Sequence, residues 1–441
     1  MNNYIKINRS IKPFNKKIEV SGDKSISIRC VLMASQAIGK SRLFNLLESE
    51  DVVNALNAIK KLGIKFKKKK NYYEIYGYGL NGYKTNRNTT INAGNSGTLA
   101  RLILGLLINS KKKIKLIGDK SLSKRDFTRV TDPLKLFGAK TSSNKKSLPV
   151  EITGSEFLRP IKYIENLGSA QCKSSIMLGA IKTPGTTLIK AKKSRNHTEL
   201  IFKFLKIPIK ILKKKNFDLI KVSGPANFNG FSYKVPGDIS SSAFFLVLTL
   251  LSKNSKIILK NINVNNSRIG IIKILNKMNA NISLKNKKVY NGENIADIIV
   301  KSRGNLKSIN CPESLNSSAI DEFLVIFLVA AKAKGISTFR NLSELNKKES
   351  PRLDIAMKLL KQIGVKCSRN SDDIKIYGNP NLKLNGEYNI KDFRKDHRVF
   401  MMSCIAALTF GGKWKIEDKA SINTSFPIFL TLLKKLGAKL D

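Results

Sequence analysis

The phrase Lys61-Leu62-Gly63-Ile64-Lys65 decides how this sequence is divided, because versions of it return along the whole chain. Of the six versions, four carry Gly at the turning point and a fifth carries Asn. These two residue types tolerate the left-handed backbone conformation that commonly ends a helix. Each version therefore predicts a helix end that turns into a strand. The other versions are Leu136-Phe137-Gly138-Ala139-Lys140, Phe204-Leu205-Lys206-Ile207-Pro208, Lys277-Met278-Asn279-Ala280-Asn281, Lys361-Gln362-Ile363-Gly364-Val365 and Lys435-Leu436-Gly437-Ala438-Lys439.

A second phrase alternates with the first and predicts the start of a helix. It opens on Asp, Asn or Ser, the preferred N-cap residues, and leads into an apolar segment. Segments such as residues 243–251 are apolar nearly all round, so we expect these helices to be buried. The six openings are Asp23-Lys24-Ser25, Asn95-Ser96-Gly97-Thr98, Ser169-Ala170-Gln171, Asp238-Ile239-Ser240-Ser241, Asp321-Glu322 and Asp396-His397-Arg398.

The two phrases together predict an α/β fold of six units, each of roughly 70 residues. A chain of 441 residues is too long for one ordinary core, so we group the units into two similar domains of three units each. The turn-forming residues 233–237 set the boundary between the domains. One domain is predicted at residues 21–235, and the other combines residues 1–20 with residues 236–441.

Composition narrows the class of protein. The formal net charge of +50 would suit a nucleic-acid-binding protein, but the lysines are spread through the chain with abundant Asn and Ile. We therefore expect no nucleic-acid partner, while a basic RNA-binding protein stays open as an alternative. The five cysteines are scattered and form no C-x-x-C pair, and no apolar run is long enough to span a bilayer. Without a signal-peptide pattern at the start, we expect a cytoplasmic monomer with no membrane partner.

The helix openings also predict the binding site. A helix N-terminus carries unsatisfied N–H groups and about half a positive charge, so it attracts anions. If both domains present their three buried helices to each other, the openings converge on one cleft that suits a small substrate with phosphate and carboxylate groups. The polar residues at these ends are Lys24, Ser25, Arg29, Asn95, Gly97, Ser169, Gln171, Asp321, Asp396, His397 and Arg398, with Arg125, Arg195, Lys348 and Arg352 nearby in sequence.

The stretch Lys348-Glu349-Ser350-Pro351-Arg352 combines two cations and a carboxylate at positions i, i+1 and i+4. We expect a helix to begin at Pro351, since proline is acceptable in a first helical turn. Such a segment could hold an anion beside a group that transfers a proton.

Taken in order, these motifs resemble the 5-enolpyruvylshikimate-3-phosphate (EPSP) synthase family along essentially the whole chain. The resemblance implies the inside-out α/β barrel of the enolpyruvyl transferases, in two domains, with the active site in the interdomain cleft. The matching segments are Ser21-Gly22-Asp23-Lys24-Ser25-Ile26-Ser27-Ile28-Arg29, Gly94-Asn95-Ser96-Gly97-Thr98 with Arg101, Gly168-Ser169-Ala170-Gln171-Cys172-Lys173-Ser174, Arg195-Asn196-His197-Thr198-Glu199, Ile320-Asp321-Glu322, Lys348-Glu349-Ser350, Asp396-His397-Arg398 and Thr424-Ser425-Phe426-Pro427.

The activity implied by this resemblance is transfer of the enolpyruvyl group of phosphoenolpyruvate to the 5-hydroxyl of shikimate 3-phosphate, with release of phosphate. No cofactor or metal is implied. Asp321 would be the base at the hydroxyl and Glu349 would handle the proton at the methylene, with Lys24 and Lys348 as catalytic cations. The shikimate 3-phosphate ligands would be Lys24, Ser25, Arg29, Ser169, Ala170, Gln171, Arg195, Asp321 and Lys348. The phosphoenolpyruvate ligands would be Lys24, Asn95, Gly97, Arg125, Gln171, Arg352 and Arg398.

The sequence departs from the family pattern at three positions. Asn346 stands where Arg is frequent, Pro351 where Asp is common, and Thr424 where some members have Lys. Gly97 matches the family's glycine, which implies inhibition by glyphosate in competition with phosphoenolpyruvate. The sister enzyme that acts on UDP-N-acetylglucosamine is the nearest alternative, but residues 118–130 contain no cysteine of the kind it uses.

Overall fold

The structure is a computed structural model that describes residues 3–86, 89–302 and 305–441. Met1 and Asn2, which belong to the predicted domain of residues 1–20 and 236–441, lie outside the described residues. The described residues form 22 strands and 13 α-helices, joined by loops and short 3-10 turns. None of these helices is both long and apolar enough to cross a membrane.

The strands and helices are numbered in chain order. The strands are β1 (Tyr4–Ile7), β2 (Asn15–Ile18), β3 (Ile38–Phe44), β4 (Lys65–Lys68), β5 (Tyr72–Tyr78), β6 (Thr89–Asn92), β7 (Ile114–Ile117), β8 (Lys140–Asn144), β9 (Ser147–Thr153), β10 (Lys162–Glu165), β11 (Gly185–Lys192), β12 (Ile209–Lys213), β13 (Phe217–Gly224), β14 (Ser232–Lys234), β15 (Lys256–Asn263), β16 (Asn281–Tyr290), β17 (Glu293–Lys301), β18 (Gly335–Phe339), β19 (Cys367–Asn370), β20 (Asp373–Gly378), β21 (Leu384–Ile390) and β22 (Gly411–Glu417). The helices are α1 (Lys24–Gln36), α2 (Glu50–Lys61), α3 (Gly97–Leu106), α4 (Thr128–Leu136), α5 (Ala170–Ala180), α6 (His197–Phe204), α7 (Ile239–Leu251), α8 (Gly270–Lys277), α9 (Asn316–Ala319), α10 (Phe323–Lys332), α11 (Arg352–Gln362), α12 (His397–Phe410) and α13 (Phe429–Lys435).

The recurring phrase ends a helix in all six places, and the first five lead into a strand as predicted. After Gly437 the described residues form no strand, so that part of the prediction is wrong for the sixth unit. Each turning residue has a positive φ, from 56° at Lys206 to 113° at Gly138. Five of the six are the predicted Gly or Asn residues, which confirms that they adopt the left-handed conformation at a helix end. Lys206 adopts the same conformation although its side chain disfavours it, so the helix-to-strand turn of the third unit is imposed by its surroundings.

Five of the six predicted helix openings are capped by a side chain as expected. Asp23, Ser96, Ser169, Asp238 and Asp396 each accept a hydrogen bond from a backbone N–H of the first helical turn. The remaining opening differs. Helix α10 begins after Glu322, whose side chain does not cap its own helix, so Asp321 lies just outside the helix.

The chain divides into two compact domains. Domain I comprises Gly22–Val235 with the short segment Tyr290–Glu293, and domain II comprises Met1–Ser21, Pro236–Val289 and Asn294–Asp441. Each has a hydrophobic core built around three buried helices: α1, α3 and α5 in domain I, and α7, α10 and α12 in domain II.

Each domain carries three sheets, one for each unit. Those of domain I have the strand orders β14-β3-β5-β4, β6-β7-β9-β8 and β10-β11-β13-β12. Those of domain II have the orders β16-β17-β15-β2, β18-β20-β19 and β1-β22-β21. The two strands of the N-terminal stretch join domain II, where β1 pairs antiparallel with β22 and β2 pairs parallel with β15.

Candidate active site

The start of α3 gathers part of the predicted domain I residues. Arg125 donates through Nη2 to Asn95 Oδ1 at 2.9 Å, and Asn95 donates to Asp119 at 2.6 Å. A Cβ added at Gly97 would lie 3.0 Å from Arg125 Nη1 and 3.1 Å from Arg101 Nη1. Gly97 therefore lets two guanidinium groups approach the first turn of the helix.

Gln171, in the first turn of α5, links this cluster to a second helix. Its side-chain carbonyl accepts from Arg101 Nη1 at 2.6 Å, and its amide donates to Thr98 Oγ1 at 3.0 Å. Burial, and repulsion by Arg125 and Arg129, lower the pKa of Arg101 to about 10. Arg101 matches the family motif but was not predicted to have a role, and Arg129 was missed. The available signal was spacing, because Arg101 lies four residues after Gly97 and Arg129 four residues after Arg125.

The Arg29 side chain is buried in domain I. It is 5% exposed and donates to Thr198 Oγ1 at 2.8 Å, to the Ser25 carbonyl at 2.9 Å and to Ser174 Oγ at 3.0 Å. Burial lowers the pKa of Arg29 to about 10. The positive charge of Arg195 also acts to lower this pKa, whereas nearby carboxylates act to raise it. Arg29 and Arg195 therefore belong to one electrostatic group.

Two other predicted residues of domain I are engaged in contacts that the sequence did not predict. Lys24 forms an ion pair of 2.8 Å with Asp51 on α2. The Ser169 hydroxyl accepts from the Cys172 backbone N–H as the cap of α5, and Ala170 begins that helix. Asp51 is thus the partner of a predicted site residue, and nothing in its sequence context identified it.

In domain II the predicted residues meet around Asp321. Its Oδ1 lies 3.4 Å from Lys348 Nζ and 3.4 Å from Arg352 Nη1. Its backbone carbonyl accepts from Arg398 Nη1 at 2.9 Å. Three cations from two chain segments therefore contact Asp321.

Arg352 is the centre of this cluster and is 1% exposed. It donates through Nε to Asp396 at 2.9 Å and through Nη2 to Glu349 at 2.5 Å. Burial opposes its charge, but Asp396, Glu349 and Asp321 outweigh burial and raise the pKa of Arg352. Burial likewise acts against the charge of Asp396, yet Arg352 holds the pKa of Asp396 below its usual value.

The segment before α11 departs from the prediction in an informative way. The helix begins at Arg352, one residue later than expected, and Pro351 occupies the N-cap position without a side-chain cap. Asn346 supplies the cap from a distance, because its Oδ1 accepts from the backbone N–H groups of Leu353 at 3.0 Å and Asp354 at 3.4 Å. The two departures from the family pattern therefore compensate each other.

His397 and Thr424 contact each other beside the start of α12. His397, at the start of α12, is buried and its Nδ1 lies 3.2 Å from Thr424 Oγ1. Thr424 also donates to the Ser421 carbonyl, so it holds the local turn. In the residues that the structure covers, no group of three His, Cys, Asp or Glu side chains is arranged to hold a metal ion.

Comparison with known proteins identifies the family. The family described as EPSP synthase (3-phosphoshikimate 1-carboxyvinyltransferase) matches residues 8–433. The chain belongs to the EPSP synthase family. A protein of Ruthia magnifica named 3-phosphoshikimate 1-carboxyvinyltransferase is 38% identical over 439 residues, which cover 98% of each chain.

Solved structures agree with this assignment. An EPSP synthase from Acinetobacter baumannii superposes with a TM-score of 0.88 and 33% identity, covering 99% of both chains. The enolpyruvyl transferase NikO from Streptomyces tendae shares the fold, with a TM-score of 0.78 at 13% identity over 99% of this chain. The predicted α/β fold class of the enolpyruvyl transferases is confirmed, and the EPSP synthase family is favoured over the UDP-N-acetylglucosamine alternative.

Proposed function

We propose that this protein transfers the enolpyruvyl (1-carboxyvinyl) group of phosphoenolpyruvate to the 5-hydroxyl of shikimate 3-phosphate, with release of phosphate, in the shikimate pathway toward chorismate. Membership of the EPSP synthase family over nearly the whole chain supports this activity. The observation that carries the mechanism is the position of the Asp321 carboxylate, 3.4 Å from both Lys348 and Arg352.

Asp321 is the proposed base for the 5-hydroxyl. The Asp321 carboxylate can accept a proton, and the two cations beside it hold it in place. Lys348 then stabilises the developing negative charge on the oxygen that attacks C2 of phosphoenolpyruvate. Addition forms a tetrahedral intermediate, and elimination breaks the C–O bond to phosphate while a proton leaves the methyl carbon.

Glu349 is the proposed carrier of the proton at that carbon. In the structure it is bound to Arg352 Nη2 at 2.5 Å. The phosphoenolpyruvate carboxylate would replace Glu349 at Arg352. The released Glu349 carboxylate would then take up a proton from water, donate it to the methylene carbon in the addition step and take it back from the methyl carbon in the elimination step. Substrate binding would thus free the acid that the addition step needs.

The anionic groups of the substrates define the remaining roles. We assign the phosphoenolpyruvate phosphate and carboxylate to Lys24, Asn95, Gly97, Arg125, Gln171, Arg352 and Arg398. We assign shikimate 3-phosphate to Lys24, Ser25, Arg29, Ser169, Ala170, Gln171, Arg195, Asp321 and Lys348. Lys24 serves both substrates and adds positive charge near the transferred group. Each domain contributes one part of this set, so we propose that both domains act on the same pair of substrates.

The protein is proposed to act as a cytoplasmic monomer on these small molecules, without a nucleic-acid partner. Glyphosate is the expected inhibitor, in competition with phosphoenolpyruvate, because Gly97 leaves space beside two arginines. Full turnover at millimolar glyphosate would contradict this part of the proposal.

The test is phosphate release by the purified protein with both substrates. Asp321→Asn keeps the size of the side chain but removes the base, so turnover should fall by about 10³-fold. Asp132→Asn makes the same change at an exposed carboxylate that contacts Lys135, and should leave turnover unchanged. If the wild-type protein releases no phosphate, the proposed function is wrong; if Asp321→Asn is fully active, Asp321 is not the base.

A further inference from the structure

A buried polar network lies directly behind Asp321 and involves residues with no role in the mechanism above. Glu322, the next residue, is 1% exposed. Its Oε1 accepts a hydrogen bond from Ser240 Oγ in the first turn of α7. Arg268, which is 3% exposed, donates through Nη2 to the same hydroxyl at 2.5 Å.

The network has a defined direction. The Ser240 hydroxyl donates a hydrogen bond to the Glu322 carboxylate, and its lone pairs accept a hydrogen bond from the Arg268 guanidinium. Asp238 Oδ1 accepts from the Ser240 backbone N–H at 2.7 Å and lies 3.6 Å from Arg268 Nη2. Charge-assisted hydrogen bonds of this kind are short and geometrically specific, so the Glu322 side chain is fixed to the start of α7.

This anchoring has a consequence for the neighbouring residue. Because Glu322 does not cap α10, its side chain is committed to α7. Asp321 is held from the other side, where its carbonyl accepts from Arg398 at 2.9 Å. Two adjacent carboxylates therefore have separate tasks: one fixes the backbone, and the other faces Lys348 and Arg352.

We propose that Ser240, Arg268 and Glu322 are positioning residues that set the orientation of the Asp321 carboxylate. They act through the Asp321–Glu322 backbone and do not touch the substrates. The inference rests on the proposed function, since it assigns Asp321 as the base. A misplacement of about 1 Å at a reacting group can lower a rate by about 10²-fold, so the effect should appear in turnover.

Ser240→Ala removes the central hydroxyl of the network. We expect kcat to fall by about 10- to 100-fold, while KM for both substrates changes by less than about threefold. Ser240→Thr keeps a hydroxyl and should recover most of the lost rate. Arg268→Met should resemble Ser240→Ala in kcat.

Ser242→Ala is the matched control. Ser242 is also buried in the first turns of α7, but its hydroxyl donates to the Asp238 carbonyl of the same helix at 2.8 Å. Its loss should leave kcat within about twofold, because no contact to α10 is broken. An equal fall of kcat in Ser240→Ala and Ser242→Ala would overturn the proposal and indicate a general weakening of α7.

A double-mutant cycle separates positioning from mere stability. If Ser240 acts through Asp321, Ser240→Ala should change the residual rate of Asp321→Asn by less than about threefold. A full additional loss in that background, or a Ser240→Ala protein with wild-type kcat, would overturn the inference. A wild-type protein without phosphate release would instead contradict the proposed function and not the network itself. Thermal unfolding of each variant checks that the protein is folded at the assay temperature.

Discussion

The arginines at the candidate site have neutral partners in one domain and carboxylate partners in the other. In domain I, Arg101 and Arg125 donate to the neutral side chains of Gln171 and Asn95. In domain II, Arg352 lies against three carboxylates. The pKa of Arg101 is lowered by burial and by its neighbouring arginines, whereas the carboxylates outweigh burial and raise that of Arg352.

This difference indicates which task the arginine cluster of each domain suits. A group of arginines with neutral partners retains positive charge for an anionic ligand, so the domain I cluster is prepared for binding. In domain II the charge of Arg352 keeps carboxylates ionised and fixed in the absence of substrate, which suits the proposed base Asp321 and holds Glu349 until phosphoenolpyruvate replaces it. In the proposed mechanism, domain I therefore contributes binding groups, and domain II contributes the two proton-transfer carboxylates together with binding residues such as Arg352 and Arg398.

The largest expected contrast comes from removing one arginine of each kind. Arg352→Met leaves the buried Asp396 carboxylate, and two partly buried ones, without this cation and should lower the free energy of unfolding by about 3 kcal/mol, as well as abolish turnover. Arg125→Met should change that free energy by less than about 1 kcal/mol but raise KM for phosphoenolpyruvate by about tenfold or more. Urea unfolding and steady-state kinetics measure both quantities. Equal stability losses in the two variants would contradict the comparison.

The domain II cluster should contribute to the pH dependence of stability. The pKa of Asp396 is lowered in the folded protein, so its contribution to stability is complete above the unfolded value of about 4 and is lost as the pH falls through the folded value. Asp396→Asn keeps a capping side chain but removes the charge. The variant should be less stable than wild type at pH 7, and the difference should narrow below about pH 4. Asp132→Asn serves as control, and a difference between wild type and Asp396→Asn that is the same at all pH values would contradict this account.

Gly97→Ala tests whether the open space in the domain I cluster matters for binding. The added methyl group would lie 3.0 Å from Arg125 Nη1 and 3.1 Å from Arg101 Nη1, so the guanidinium groups must shift. We expect KM for phosphoenolpyruvate and the inhibition constant of glyphosate to rise by about tenfold or more, with a change of less than about twofold in KM for shikimate 3-phosphate. A uniform change in all three constants would indicate a general distortion of α3.

Asn346→Ala should produce the smallest effect. Loss of the remote cap of α11 should lower the free energy of unfolding by about 1 kcal/mol. Asn346→Asp retains an acceptor oxygen and should keep most of the stability. If both variants behave like wild type in urea unfolding, Asn346 does not cap the helix in solution.

The sequence predicts the repeating architecture well because two local rules are repeated. Left-handed turning residues such as Gly63 and N-cap residues such as Asp23 act on their own backbone, so each is visible in a few letters. The pairing of β2 with β15 was not predictable, since its register depends on residues more than two hundred positions away. The start of α10 was placed too early because the side chain of Glu322 is committed to Ser240, a tertiary contact without a local signal.

For the candidate site too, only features with a local signal could be predicted from the sequence. Residues at helix starts were found from their spacing and from the family resemblance. Asp51, Arg268 and the capping role of Asn346 were missed because each acts on a partner distant in sequence or across a loop. The triple engagement of Arg352 could not be predicted either, since it depends on how three segments fold together.

The placement of the first two strands has a consequence for synthesis on the ribosome. Strand β1 emerges first, yet its partners are β22 and the terminal residue Asp441, whose backbone exchanges hydrogen bonds with Lys6. Residues 22–235 of domain I can pack as soon as they leave the exit tunnel, since domains generally fold as units during translation. Strand β2 can pair once β15 has emerged, whereas β1 must wait for β22. The contact of Glu293 with His197 likewise forms only after residues 22–235 have emerged. The nascent chain therefore carries β1 unpaired until the last strand of its own domain is made.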